Sequence, residues 1–128
     1  MANLLNLQNQ FKTLEKFCNG TLGVSARHIE NDNEINFNAD QRFLMCSTYK
    51  VAIAVYLLMG LLPYRTPVAH KTGSLTGYTC DIGIITLPHD AGNVAVSAFI
   101  KESDKDLANN ERVLAEVGRS VYDFYLFN

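Results

Sequence analysis

Phe43-Leu44-Met45-Cys46-Ser47-Thr48-Tyr49-Lys50 runs directly into Val51-Ala52-Ile53-Ala54-Val55-Tyr56-Leu57-Leu58-Met59-Gly60-Leu61-Leu62. From Thr48 onward almost no polar face remains, and a helix that is apolar all round is one that is covered all round. The segment therefore predicts a helix held between two layers. Working outward, Leu4, Leu7, Phe11, Leu14 and Cys18 recur at steps of three and four, which marks one face of a first helix with Gly20 as its stop. Leu22, Val24, Ala26 and His28 alternate with Thr21, Gly23, Ser25 and Arg27 as in a half-buried strand. Asn31-Asp32-Asn33-Glu34 is turn chemistry, and Ile35 to Asn38 returns as a second strand. Beyond the apolar helix, Pro63 and Pro67 bracket a short link. Three β-rich segments follow, Val68 to Ser74, Thr79 to Leu87 and Asn93 to Lys101, with separators of hairpin length. Asp106 is the expected N-cap of a last helix that places Leu114, Val117, Val121 and Phe124 on one face.

These elements predict a single domain over residues 1–128 of α/β (α+β sandwich) type. Its core would be a five-stranded antiparallel sheet, with the N- and C-terminal helices on one face and the helix after Ser47 on the other. The 48% apolar and 19% charged content suits one globular core. A net charge of −2 gives no chain-wide attraction to nucleic acid or anionic membrane, and the longest apolar run is too short to span a bilayer. Met1-Ala2-Asn3 does not open a secretory leader, so either a cytosolic location or a replaced leader is expected. Three cysteines, Cys18, Cys46 and Cys80, cannot all pair within one chain, and their spacing is not that of a zinc site. They read as buried or half-buried thiols. Neither a metal nor a cofactor is expected.

Chemistry enters at Ser47 and Lys50. Three residues apart on a helix, they share a face, close enough for the amine to take the hydroxyl proton. A serine at a helix N-terminus also lies beside free backbone N–H groups and the positive end of the dipole, where an oxyanion is stabilised. The spacing alone is weak, since about half such a match arises by chance in a chain of this length. On its own it describes an N-cap serine and a solvated lysine. The pairing with Lys71-Thr72-Gly73, on a strand and followed by Ser74, changes that balance.

Ser-x-x-Lys with Lys-Thr-Gly resembles the signature of class A serine β-lactamases and penicillin-binding proteins. The flanking residues from Phe43 to Lys50 and from Pro67 to Ser74 are similar to the class A nucleophile and third-strand segments. Asp81 to Pro88 and Asn109-Asn110-Glu111-Arg112 resemble one branch of that family. The resemblance implies that Ser47 is the acylated nucleophile and Lys50 a candidate general base. It implies an oxyanion hole from the Ser47 and Ser74 N–H groups. Lys71, Thr72, Gly73 and Ser74 would bind the substrate, with Lys71, Thr72 and Ser74 holding the carboxylate of a β-lactam. Strand alternation puts His70 opposite Lys71, as a packing or surface residue.

The resemblance also exposes a gap. Family members insert a large all-helical domain between the nucleophile helix and the Lys-Thr-Gly strand, and here it is missing at about residues 60–66. The Ser-Asp-Asn loop and the deacylating glutamate go with it, so any β-lactamase turnover should be crippled. The uncovered side of the nucleophile helix (Ala52, Val55, Tyr56, Met59) predicts a homo-oligomer that buries it. A family disulfide from the Cys46 position is not expected, because its partner position is Leu75. Three readings follow: a truncated or minimised β-lactamase, a penicillin-accepting binding module, and an excised or engineered folding sub-domain. A transpeptidase ancestry fits the flanking residues less well. The parent family implies periplasmic export or secretion.

Overall fold

The computed structural model describes residues 2–49 and 70–127. The expected buried helix from Thr48 to Leu62, Lys50 within it, and the link bracketed by the prolines lie outside the described residues beyond Tyr49. Helix α1 (Ala2–Cys18) leads into a hairpin of β1 (Thr21–His28) and β2 (Glu34–Phe37). A single 3-10 turn, Cys46–Tyr49, carries Ser47. Strands β3 (His70–Leu75), β4 (Tyr78–Thr86) and β5 (Asn93–Lys101) follow, and α2 (Leu107–Leu126) ends the described chain. The sheet is five-stranded and antiparallel, in the order β2-β1-β5-β4-β3. β5 is therefore central and β3 an edge, and the five antiparallel strands are those expected.

Period-two alternation assigns the faces. Leu22, Val24 and Ala26 of β1 are buried with Val94, Ala98 and Ile100 of β5. Against them α1 sets Leu7, Phe11 and Cys18, and α2 sets Val113, Leu114, Val117 and Val121. The Phe11 and Phe37 rings meet at 5.6 Å. Both terminal helices thus cover one face, and its apolar side chains form one continuous core. Asp106 caps α2, its carboxylate accepting from the Asn109 N–H at 2.8 Å. α1 ends differently from the expected glycine stop. Asn19 takes the left-handed position (φ +44°), a role asparagine fills readily. Gly20 is instead a close-approach site, since a methyl there would stand 2.5 Å from the Lys101 carbonyl oxygen.

The opposite face is covered, among the described residues, by the chain between β2 and the 3-10 turn. Phe43 lies on Gly23, where a methyl would be 2.5 Å from its ring, and packs at 5.8 Å on Phe99. The Lys101 ammonium sits 5.2 Å from the Phe43 ring centre and 3.2 Å from the Gln41 side-chain oxygen. This lining delivers the chain to Cys46 and Ser47 at the sheet edge.

Candidate active site

Gly73, the last residue of Lys-Thr-Gly, is what lets the edge strand reach the turn that carries Ser47. A methyl at Gly73 would stand 2.6 Å from the Ser47 amide nitrogen and 2.8 Å from the Cys46 Cβ. No side chain fits there without moving backbone. Two segments separated by more than twenty residues of sequence therefore touch through the one position that lacks a Cβ.

The turn itself is held from behind. The Met45 carbonyl accepts from the Thr48 N–H at 2.9 Å, from the Thr48 hydroxyl, and from the Cys80 thiol at 3.4 Å. Thr48 is fully buried. Cys46 takes φ +47°, a left-handed conformation unusual for a residue with a side chain. Three donors on one carbonyl and a contact at Gly73 hold that conformation in place. Its consequence is directional, because the residue before Ser47 sets where the turn begins.

Lys71 shares the face of Gly73, and its ammonium donates to the Thr72 carbonyl at 2.7 Å. No carboxylate pairs with it among the described residues. Thr72 and Ser74 alternate to the other face, with His70. Both are exposed at the sheet edge, where half of the β3 backbone groups have no ladder partner among the described residues. The structure thus brings Gly73 against Ser47, keeps Lys71 on the same face, and leaves Thr72 and Ser74 to the rim. Lys50 lies outside the described residues. His70 is a surface residue as expected from alternation, and it has a partner. Its Nδ1 lies 3.0 Å from both carboxylate oxygens of Asp81, its diagonal neighbour on β4.

Cys80 and Thr48 are the contributors the sequence did not single out for this site. Cys80 pairs in register with Gly73 and is buried, and its thiol also lies 3.2 Å from the Gly73 carbonyl oxygen. Burial pushes that thiol up to about 11, and the charge of Cys46 beside it pushes in the same direction. The signal was available only as alternation: Cys80 falls on the β4 face that must meet Gly73 once the hairpin closes. Among the described residues no group of His, Cys, Asp and Glu side chains could hold a metal ion.

A sheet with both terminal helices on one face, a serine turn on the other, and a Lys-Thr-Gly edge strand pressed onto that turn is the α/β layout of class A β-lactamases. The model of the β-lactamase enzyme family matches residues 6–61 and 57–125, and the chain belongs to that family. The extended-spectrum β-lactamase PER-1 of Pseudomonas aeruginosa is 43% identical over 75 residues, 54% of this chain and 24% of that protein. The β-lactamase VEB-1 of the same species is 35% identical over 75 residues, covering 54% of this chain and 25% of that protein. The chain thus spans about a quarter of the length of the curated relatives it matches. Among solved structures, the TLA-1 extended-spectrum β-lactamase superposes with a TM-score of 0.76 at 16% identity, covering 94% of this chain and 98% of that one. A β-lactamase from Xanthomonas campestris gives 0.78 at 14% identity, covering 98% and 99%. At such identities the likeness is one of fold. Among the described residues, no helix is long and apolar enough to cross a membrane.

Proposed function

We propose that this chain is a minimised class A β-lactamase domain that is acylated by β-lactams at Ser47 and turns over slowly or not at all. The observation that carries the reading is the contact of Gly73 with the Ser47 amide. It sets the Lys-Thr-Gly strand beside the turn that carries Ser47, so that a β-lactam lying along the exposed strand edge would reach both. In this reading Lys50 takes the Ser47 hydroxyl proton and the oxygen attacks the lactam carbonyl. The Ser47 and Ser74 N–H groups receive the developing oxyanion. The lactam C–N bond then breaks, and the ring nitrogen takes the proton. Lys71 and the rim hydroxyls of Thr72 and Ser74 hold the substrate carboxylate. The ester would persist, because a chain without the deacylating glutamate has no base to activate water.

The gap at about residues 60–66 is part of the same proposal. The family model matches in two segments that meet at 57–61. The curated relatives are matched over about a quarter of their length, while the fold likeness reaches across 98% of the solved TLA-1 chain. Both fit a loss of the interior helical domain. A second copy of the chain is the proposed cover for the apolar segment that follows Ser47, and the compartment expected from the family is periplasmic or extracellular. A monodisperse monomer in sedimentation at micromolar concentration would sink the oligomer.

The test is intact mass after incubation with a penicillin, beside Ser47→Ala. A stable adduct present only with Ser47 supports acylation, and hydrolysis of a chromogenic cephalosporin lost in Ser47→Ala would add turnover. A folded sample inert to both overturns the acylation reading. It would favour the folding sub-domain instead, for which the continuous helix-side core is the favouring observation.

A further inference from the structure

Cys46 and Cys80 come together across Gly73. A methyl at Gly73 would lie 2.8 Å from the Cys46 Cβ and 3.2 Å from the Cys80 Sγ. Laid end to end, these distances keep the Cys46 Cβ and the Cys80 sulfur within about 6 Å, inside the reach of a side-chain rotation to disulfide geometry. The missing Cβ leaves the gap the two sulfurs would share. The Cys80 thiol lies against the Met45 and Gly73 carbonyl oxygens, at 3.4 and 3.2 Å, on either side of Cys46 and its contact with Gly73. The two thiols differ in their access to solvent. Cys46 is half-buried and Cys80 is buried, while Cys18, the third thiol, lies in the helix-side core. Both thiols are free in this structure.

We propose that Cys46 and Cys80 form a thiol–disulfide site that clamps the nucleophile turn to β4 when the chain meets a disulfide oxidant. The more accessible Cys46 thiolate attacks one sulfur of a small disulfide such as oxidised glutathione, expelling one glutathione thiolate. Cys80 loses its proton, and its sulfur attacks the Cys46 sulfur and expels the second. Two protein thiols lose two protons and two electrons, and the oxidant's S–S bond becomes two thiols. The resulting link bridges the left-handed residue before Ser47 to the strand behind it. It requires nothing of Ser47 itself, so it stands or falls apart from the acylation reading. Because burial holds Cys80 protonated, the second step is slow at neutral pH and quickens as pH rises.

The experiment equilibrates the native full chain with oxidised glutathione and maps peptides without reduction, in parallel with Ser47→Ala. The expected result is one intramolecular Cys46–Cys80 link in both proteins and a mass lower by two hydrogens, with Cys18 still free. Tm should rise on the order of 10 °C, reversed by reductant, since the link closes the long loop between residues 46 and 80. Cys80→Ser should instead keep glutathione on Cys46. If that variant does not fold, the time course of the unsubstituted chain serves, with a Cys46 adduct that rises and then decays into the link. A lasting Cys46 adduct in the unsubstituted chain, a linked dimer, a link to Cys18, or a link formed only in denaturant would each overturn the proposal.

Discussion

The two faces of the sheet are built by different rules. On the helix side, large apolar residues from α1, α2, β1 and β5 fill a closed core, and Phe11, Leu22, Val117 and Val121 are wholly buried. On the Ser47 side the sheet offers small residues, Gly23, Gly73 and Cys80, over which Phe43 and the turn at Ser47 are laid. The first face is fixed by volume, the second by closeness of approach. A core that excludes water needs bulk. A site that must hold backbone N–H groups at a set distance from a strand needs the absence of bulk. Met45, Leu75 and Ile84 stay exposed, whereas the buried apolar cluster lies on the helix side.

The largest test of this division is Phe11→Ala. It empties the centre of the helix-side core and should cost about 3–5 kcal/mol in urea unfolding, while leaving the turn at Ser47 unaltered. Gly73→Ala is the counterpart. It adds a single methyl yet should cost about 1–3 kcal/mol, because the Ser47 amide and the Cys46 Cβ must move. It should also abolish any serine-dependent penicillin adduct even in the folded fraction. An adduct of undiminished rate in Gly73→Ala would break the claim that approach governs this face.

Alkaline unfolding separates the faces by pH. The Cys80 thiol, on the Ser47 side, is raised by burial from 9.0 to about 11. The Tyr125 hydroxyl, between the sheet and α2, is raised from 10.0 to about 12 by burial and by the charge of Glu34. In both cases the folded chain holds its proton above the pH at which the unfolded chain releases it. Stability is therefore full below pH 9.0 and falls as pH climbs through 11, then further towards 12. Tyr125→Phe should remove the later part of the fall in a Tm-against-pH series. At neutral pH it should cost about 1 kcal/mol, the net worth of the hydroxyl's bonding to the Ala26 and Asn33 carbonyls. The smallest effect has the opposite sign. Gly118 lies within α2 with open space where a Cβ would go, so Gly118→Ala should stabilise by about 0.5–1 kcal/mol by thermal melt. The same substitution at two glycines thus gains on one side and loses on the other.

Much of this was legible in the chain itself. The alternation from Thr21 to His28 and the spacing of Val117 and Val121 are local periodicities, and they recover strands, helices and the helix-side core without knowledge of partners. Asp106 as a cap is equally local. The motif residues Ser47 and Lys71-Thr72-Gly73 carry the family resemblance through their types and spacing alone. What the chain could not show is which residues meet across elements. That Asn19 and not Gly20 turns the chain out of α1 depends on how close β5 passes, since Lys101 occupies the space beside Gly20. That His70 finds Asp81, and that Cys80 backs the turn at Ser47, depends on the register of β3 on β4. A slip of one residue would send each side chain to the opposite face. Local preference therefore determined the elements and brought out the Ser47 and Lys71-Thr72-Gly73 motifs. Their apposition, with Gly73 against the Ser47 amide and two thiols on either side of it, was decided only when the sheet closed, because contact is a property of register and packing rather than of spacing along the chain.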